Sequence, residues 1–489
     1  MPKDMKTDAP SQGTEEKLIE TDICVIGGGS GGLSVAAGAV QMGARVVLFE
    51  RGRMGGDCLN YGCVPSKALL AAGHAAAAAR AAGRFGVNLP EPEIDFARVH
   101  AHVHDVIAGI APHDSVERFE KLGVKVIEAA ARFADGRTVT GGGYRVRARR
   151  FVIATGSSAA IPPVLGLVET PYLTNETIFD LTERPAHLLI IGGGPIGCEL
   201  AEAHRNLGSE VTVIEAATLL GNEDPEAAAL IRAHLQEIGV TLLEGALVKE
   251  ASGKDGGISL SIESGGAIRY IEGSHLLVAA GRRANLDGLG LEAAGIETTR
   301  TGIRVDAGLK TSNWRVYAIG DAAGGLQFTH VAGYHASVVI RNALFRLPSK
   351  ADMSAVPRVT YTDPELAHVG LLEAEARDRH GEKVRVLKWT YQENDRARAE
   401  RATEGFIKLI VLKNGRVIGA TIVGRNAGEL IQCWGLAISQ KIKIGAIASS
   451  IVAYPTLAEV GKRAAGSFFT ETLFSPRMRK IVRFLASFG

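Results

Sequence analysis

Short β-branched apolar runs, each followed by a glycine turn and then a small-residue segment with helical spacing, punctuate this chain from residue 23 onward. Residues 23–50 (ICVIGGGSGGLSVAAGAVQMGARVVLFE) align without a gap on 188–215 (LLIIGGGPIGCELAEAHRNLGSEVTVIE), offset by 165 residues throughout. Each copy reads as a buried parallel strand, a tight turn, a helix with Gly43 or Gly208 near its end, and a second apolar strand closing at Glu50 or Glu215. The pattern therefore predicts two βαβ units of one design.

Both units spell G-x-G-x-x-G where the strand hands over to the helix, at Gly27, Gly29 and Gly32 and again at Gly192, Gly194 and Gly197. The first glycine permits the turn, the second lets backbone approach a pyrophosphate, and the third lets helix and strand pack closely. The helix N-terminus then presents unpaired N–H groups to the phosphates. In each unit an acid stands 23 residues after the first glycine. A carboxylate there accepts from ribose hydroxyls and repels a 2′-phosphate, so Glu50 suits FAD and Glu215 favours NAD(H) over NADP(H).

Length and composition narrow the partners. The chain has 489 residues, enough for about three domains. Glycine is abundant, at 59 residues, yet 46% of the chain is hydrophobic and no Gly-X-Y period exists, which excludes collagen-like and disordered readings. Lys+Arg 55 against Asp+Glu 53 argues against a nucleic-acid-coating surface. Five scattered cysteines do not make a disulfide scaffold and fit a reducing cytoplasm. Residues 1–20 mix charge with Pro and Gly and read as a flexible tail without a signal-peptide core. The long uncharged stretch 23–44 contains seven glycines, so no transmembrane span is expected.

Cys58 and Cys63 follow the first unit in GGDCLNYGCVPSK. Their spacing is not a usual zinc pattern. In an ideal helix residues five apart have Cα atoms about 8.7 Å apart, too far for a disulfide, so bridging needs a distorted turn, which Gly62 and Pro65 permit. Spacing alone leaves coincidence open; beside a flavin fingerprint the redox reading is preferred.

With GGDCLNYGCVPSK, Ala154-Thr155-Gly156, Gly281-Arg-Arg-Ala-Asn285, Tyr317-Ala-Ile-Gly320-Asp321 and Tyr361-Thr-Asp-Pro-Glu365, the chain from about residue 21 to 466 resembles the class I pyridine nucleotide–disulfide oxidoreductases, including dihydrolipoamide dehydrogenase, glutathione reductase and mercuric reductase. The resemblance implies an α/β fold: two Rossmann-like dinucleotide-binding domains, for FAD (21–160 and 287–350) and NAD (161–286), and an α+β C-terminal dimerisation domain (356–489). It implies FAD bound by the first fingerprint with Gly56, Asp57, Ala154, Thr155, Gly156, Gly320, Asp321, Phe328, Thr329 and His330. Ile196, Gly281 and Arg282 join the second fingerprint on the NAD side. Cys63 becomes the flavin-facing sulfur, Cys58 the interchange thiol, and Lys67 the partner of Glu199.

The resemblance thus implies a homodimeric flavoenzyme passing electrons between NADH, FAD and a Cys58–Cys63 disulfide to a small-molecule or lipoyl disulfide or dithiol, as dihydrolipoamide dehydrogenase does. The alternatives are a mercuric-reductase-like metal reductase, a diaphorase passing electrons from flavin to quinones, and a non-enzymatic flavin-bearing subunit.

This sequence departs from its relatives in two places. Where dihydrolipoamide dehydrogenase and glutathione reductase carry His-Pro-x-x-x-Glu, it has Tyr454-Pro-Thr-Leu-Ala-Glu459. A tyrosine near pKa 10 is mainly a proton donor, which counts against efficient dihydrolipoamide oxidation and leaves Glu459 to hold the tyrosine instead of an imidazole. Mercuric reductases resemble it in that tyrosine but typically end in a vicinal cysteine pair, and no cysteine follows Cys433 here. The histidines at 100, 102, 104 and 113 place only His100 and His104 on one helical face, and no metal site is expected. From Pro476 the tail sets Met478, Ile481, Val482 and Leu485 on one stripe and Arg477, Lys480 and Arg483 on another. Docking on the dimer is preferred to contact with an anionic membrane.

Overall fold

A computed structural model describes residues 16–254 and 256–488. The fold is mixed α/β, and the chain divides into two compact units, each built from three sequence segments.

The unit formed by residues up to Asn60, Ile107–Ser158 and Arg282–Ala351 holds a seven-stranded sheet. Its order runs Val124–Glu128, Val46–Glu50, Lys17–Ile26, Tyr144–Ile153, Thr138–Gly141, Arg132–Asp135, with Val316–Ala318 also on Tyr144–Ile153. The strands around Lys17–Ile26 pair in parallel, whereas the Arg132–Gly141 hairpin pairs antiparallel at the edge. Alternation along Ile23–Ile26 feeds two cores: Ile23 and Val25 join one, Cys24 and Ile26 the other. The expected tail 1–20 is corrected at its end, because Lys17–Glu20 already pair with Tyr144–Arg147; its first fifteen residues lie outside the described residues.

The other unit comprises Tyr61–Val106, Ala159–Gly281 and the chain from Asp352. It contains a four-stranded parallel sheet, ordered Thr241–Glu244, Glu210–Glu215, His187–Ile191, His275–Val278. Three antiparallel strands (Ala246–Lys254, Gly257–Ser264, Ala267–Gly273) follow, then a five-stranded antiparallel sheet from Arg358–Thr360 to Val417–Gly424. The helix Cys63–Ala81, expected with the first fingerprint, belongs here because it packs along Pro195–Asn206. A Cβ on its Gly73 would stand 3.2 Å from the Ala203 carbonyl oxygen, so a larger residue would force the helices apart. Among the described residues no helix is long and apolar enough to cross a membrane.

Candidate functional site

The two fingerprints fold into near-identical turns. Gly27 and Gly192 have φ of +108° and +115°, and a Cβ on either would lie 2.4 Å from a carbonyl oxygen, of Ala154 and Ala279 respectively. A Cβ on Gly32 or Gly197 would lie 1.9 or 2.0 Å from the oxygen of Gly27 or Gly192, so helix and strand close only over glycine. Gly29 and Gly194 are extended N-caps without a side-chain cap, and neither helix, Ser30–Gln41 or Pro195–Asn206, has an acid in its first turn. Helices Val116–Lys121 and Pro225–Glu237, by contrast, are capped by Ser115 and Asp224. Bare N-termini of this kind suit a diphosphate.

The strand-end glutamates also match. Glu50 accepts from the Gly28 N–H at 2.5 Å and the Gly52 N–H at 2.6 Å. Glu215 accepts from the Gly193 N–H at 2.7 Å and the Ala217 N–H at 2.8 Å. Each carboxylate is thereby fixed at the lip of its glycine turn, with lone pairs left for a ribose. Glu244 stands in register opposite Glu215 but is occupied by Arg232 and the Leu219 N–H.

In the first unit the GGD segment lies on the fingerprint. The Gly55 N–H donates to the Gly28 oxygen at 2.9 Å, and a Cβ on Gly56 would meet the Gly29 Cα at 2.7 Å. Asp57 pairs with Arg282 at 3.1 Å. Arg282 also donates to the Ser157 Oγ at 2.8 Å, and that hydroxyl donates to Asp321 at 2.5 Å. Burial pushes Asp321 above its ordinary value, against the pull of Ser157 and Arg282. The Arg282 guanidinium, expected on the NAD side, finds its protein acceptors beside Asp321, and the division between the compact units falls after Gly281.

Ala154, Thr155 and Gly156 follow the strand Tyr144–Ile153, with the Thr155 hydroxyl donating to the Asn285 oxygen at 2.8 Å. Gly320, at φ +58°, donates its N–H to His335 Nδ1 at 3.2 Å. Phe328 and His330 stack with ring centroids 5.2 Å apart, and Thr329 opens the helix Thr329–Ala343.

In the second unit Ile196 and Gly197 lie in the first turn after Gly194, and Gly281 adopts φ +129° two residues beyond Ala279. Lys67 Nζ lies 2.7 Å from Glu199 Oε2 and 4.4 Å from the centre of the Tyr361 ring. The other Glu199 oxygen accepts the Tyr361 N–H at 3.0 Å. Burial raises the Tyr361 phenol and Glu199 raises it further. One turn along the same helix, Glu202 accepts the Asp363 N–H and has His74 Nε2 at 3.3 Å and His234 Nε2 at 3.6 Å.

The helix Gly56–Asn60, which carries Cys58, stops before Cys63 opens the next one, and Gly62 between them leaves the helical region at φ −127°, ψ −111°. Cys24 and Cys198 are fully buried and burial raises both thiols, while Cys433 is exposed. Tyr454 is exposed and donates to Asp395 at 3.0 Å, which raises the phenol; Glu459, opening the helix Glu459–Ser467, adds to that rise. The tyrosine's hydrogen-bond partner is thus Asp395 and not the expected Glu459. Sequence reading also missed Ser157, Glu202, His74 and His234; only Ser157 carried a signal, following Ala154-Thr-Gly156 directly.

Comparison with known proteins matches residues 21–336 to the pyridine nucleotide-disulphide oxidoreductase model and residues 356–465 to the dimerisation domain of that name. A dihydrolipoyl dehydrogenase of Geobacillus stearothermophilus is 38% identical over 455 residues, covering 91% of this chain and 96% of its own. A mercuric reductase of Bacillus cereus is 36% identical over 458 residues, covering 93% and 72%. Among solved structures, the HOCl-induced flavoprotein disulfide reductase RclA of Escherichia coli superposes with a TM-score of 0.81 at 28% identity, over 91% of this chain and 99% of its own.

Proposed function

The chain belongs to the pyridine nucleotide-disulphide oxidoreductase family, and on that premise we propose that it carries electrons from NADH by way of FAD to a Cys58–Cys63 disulfide and then to a disulfide or other thiophilic acceptor. It is a flavoprotein oxidoreductase of the class that includes dihydrolipoamide dehydrogenases and mercuric reductases, and the family uses FAD and NAD(P)H. The dimerisation domain supports a homodimer. The observation carrying the proposal is the duplicated glycine turn with its bare helix N-terminus and fixed glutamate, which supplies two dinucleotide cradles in one chain.

Bound FAD supplies the hydride acceptance and electron relay that side chains lack. Gly27, Gly29 and Gly32 would hold its pyrophosphate, Glu50 the ribose hydroxyls, and Asp321, fixed through Ser157 and Arg282, the ribityl or pyrophosphate part. Glu215 selects NADH, because its carboxylate repels a 2′-phosphate. Lys67, held by Glu199 and Tyr361, would supply the cation that the family resemblance assigns to the flavin's surroundings. The Cys58 thiolate attacks the acceptor disulfide and expels one acceptor thiol; Cys63 then displaces the second and restores the Cys58–Cys63 disulfide. Two electrons and two protons leave with the acceptor. The Tyr454 hydroxyl, kept protonated by Asp395, serves as a hydrogen-bond donor and not a neutral-pH base, which favours reduction of an acceptor over oxidation of dihydrolipoamide. Few and scattered cysteines support a reducing, cytoplasmic setting.

Cys58→Ser tests the route. Disulfide reduction should fall at least about a hundredfold while NADH-dependent reduction of a quinone persists. Full-rate disulfide reduction by the variant would rule out the thiol route and leave the diaphorase reading.

A further inference from the structure

Most long helices in the second unit bury one face; Ala427–Ser439, for example, sinks Ile431 and Trp434 into the core. The helix Pro476–Leu485 buries nothing. It is nonetheless well started, since Ser475 Oγ accepts the Met478 N–H at 3.2 Å and Pro476 occupies the first turn, where its missing N–H costs nothing.

At about 100° per residue, Met478, Ile481, Val482 and Leu485 fill one sector roughly 100° wide. Arg479, Lys480 and Arg483 fill the opposite sector, and Arg477 flanks the apolar one. Ile481, Val482 and Leu485 are 41%, 57% and 60% exposed. No Asp or Glu occurs from Pro476 to Phe488. Phe484 and Phe488, both exposed, pack edge to face with ring centroids 5.0 Å apart. Leu473 and Phe474 extend the exposed apolar surface towards the preceding turn.

The occupant of this face must take up apolar side chains while neutralising four cations. An anionic lipid surface offers both, with acyl chains under the apolar sector and phosphate headgroups around the basic one. Exposed phenylalanines beside the stripe fit the same boundary. A second copy meeting this face through its own Pro476–Leu485 helix is the weaker occupant, because that contact would oppose like charges with no carboxylate between them. We propose that Pro476–Leu485 is a peripheral membrane anchor, lying in the plane of an anionic bilayer with Ile481, Val482 and Leu485 inserted.

The test is flotation of the FAD-loaded, full-length protein with vesicles of mixed phosphatidylglycerol and phosphatidylcholine, and with phosphatidylcholine alone. Expected is co-flotation with the anionic vesicles, at least about tenfold weaker on neutral ones and weakened by salt. Ile481→Ser with Val482→Ser should abolish it, and Arg479→Glu with Arg483→Glu should abolish it independently. Both variants should keep the parent's elution volume in gel filtration. Absence of flotation, or equal flotation with both lipids, overturns the proposal. So does conversion of the serine variant to monomer, which would assign the face to a second copy of the chain.

Discussion

Replacing Glu202 with glutamine removes one charge from a buried cluster and keeps the shape. The Glu202 side chain is 1% exposed, with two histidines within ion-pair distance and the Asp363 N–H on its oxygens. Burial pushes this carboxyl up, but His234 and His74 outweigh it and hold it below the ordinary range. Burial likewise opposes the charge on His74 and His234, yet Glu202, with Asp363 behind it, leaves both above the usual histidine value. A hydrogen bond to a charged group contributes about 1.5–3 kcal/mol, and breaking a fully buried pair costs about 3–5 kcal/mol. His74 is 35% exposed, so water screens its share, whereas His234 is 16% exposed. We therefore expect Glu202→Gln to cost about 2–4 kcal/mol near pH 6. The histidine contribution is complete below about pH 6.5 and is lost as pH rises through the raised folded-state values. The carboxylate contribution is present above about pH 4.5 and is lost as pH falls through the lowered folded-state value. The variant's deficit should thus shrink towards pH 9, where glutamine still accepts the Asp363 N–H. Denaturant unfolding of FAD-saturated protein at fixed concentration, from about pH 6 to 9, measures it. A deficit under about 0.5 kcal/mol, or one that does not change with pH, would refute the charge argument.

Further outcomes follow from single residues. Gly197→Ala places a methyl 2.0 Å from the Gly192 oxygen and should abolish NADH binding, read by fluorescence titration, while FAD is retained. Glu215→Ala should narrow the ratio of kcat/KM for NADH over NADPH by about tenfold or more; an unchanged ratio would contradict the role given to Glu215. Asp321→Ala should lower FAD retention on dialysis, since Ser157 and Arg282 lose the carboxylate they fix. Tyr454→His should raise dihydrolipoamide oxidation by supplying a base that titrates near neutrality, and unchanged turnover in a folded variant would count against the proton-transfer argument.

The glycine turns are legible because their constraint is local: a Cβ at Gly32 or Gly197 collides with a carbonyl five residues earlier, so the spacing itself encodes the turn. The strand-end glutamates were legible for the same reason, lying one strand beyond the helix. The contacts of Arg282 are silent in sequence because its acceptors, Asp57 and Ser157, lie more than a hundred residues away. The packing of the helix Cys63–Ala81 is silent in sequence on similar grounds, since Gly73 reveals its partner only when Ala203 is beside it. No periodicity announces the buried Lys408 in the strand Phe406–Leu412, which meets Asp224 at 2.8 Å across nearly two hundred residues. The Asp395 acceptor for Tyr454 is equally silent in sequence. Long-range polar partners are fixed by which elements pack together, and a single chain's pattern does not carry that information.

The central claim, that NADH, FAD and the Cys58–Cys63 pair form one electron path, is tested most directly by anaerobic titration of the FAD-loaded enzyme with NADH. Absorbance would be followed into the long-wavelength region where a thiolate in charge transfer with flavin absorbs. Uptake of two electrons with that band is predicted. Uptake of two electrons with simple bleaching of the flavin would contradict the claim, because the disulfide would then stand outside the path.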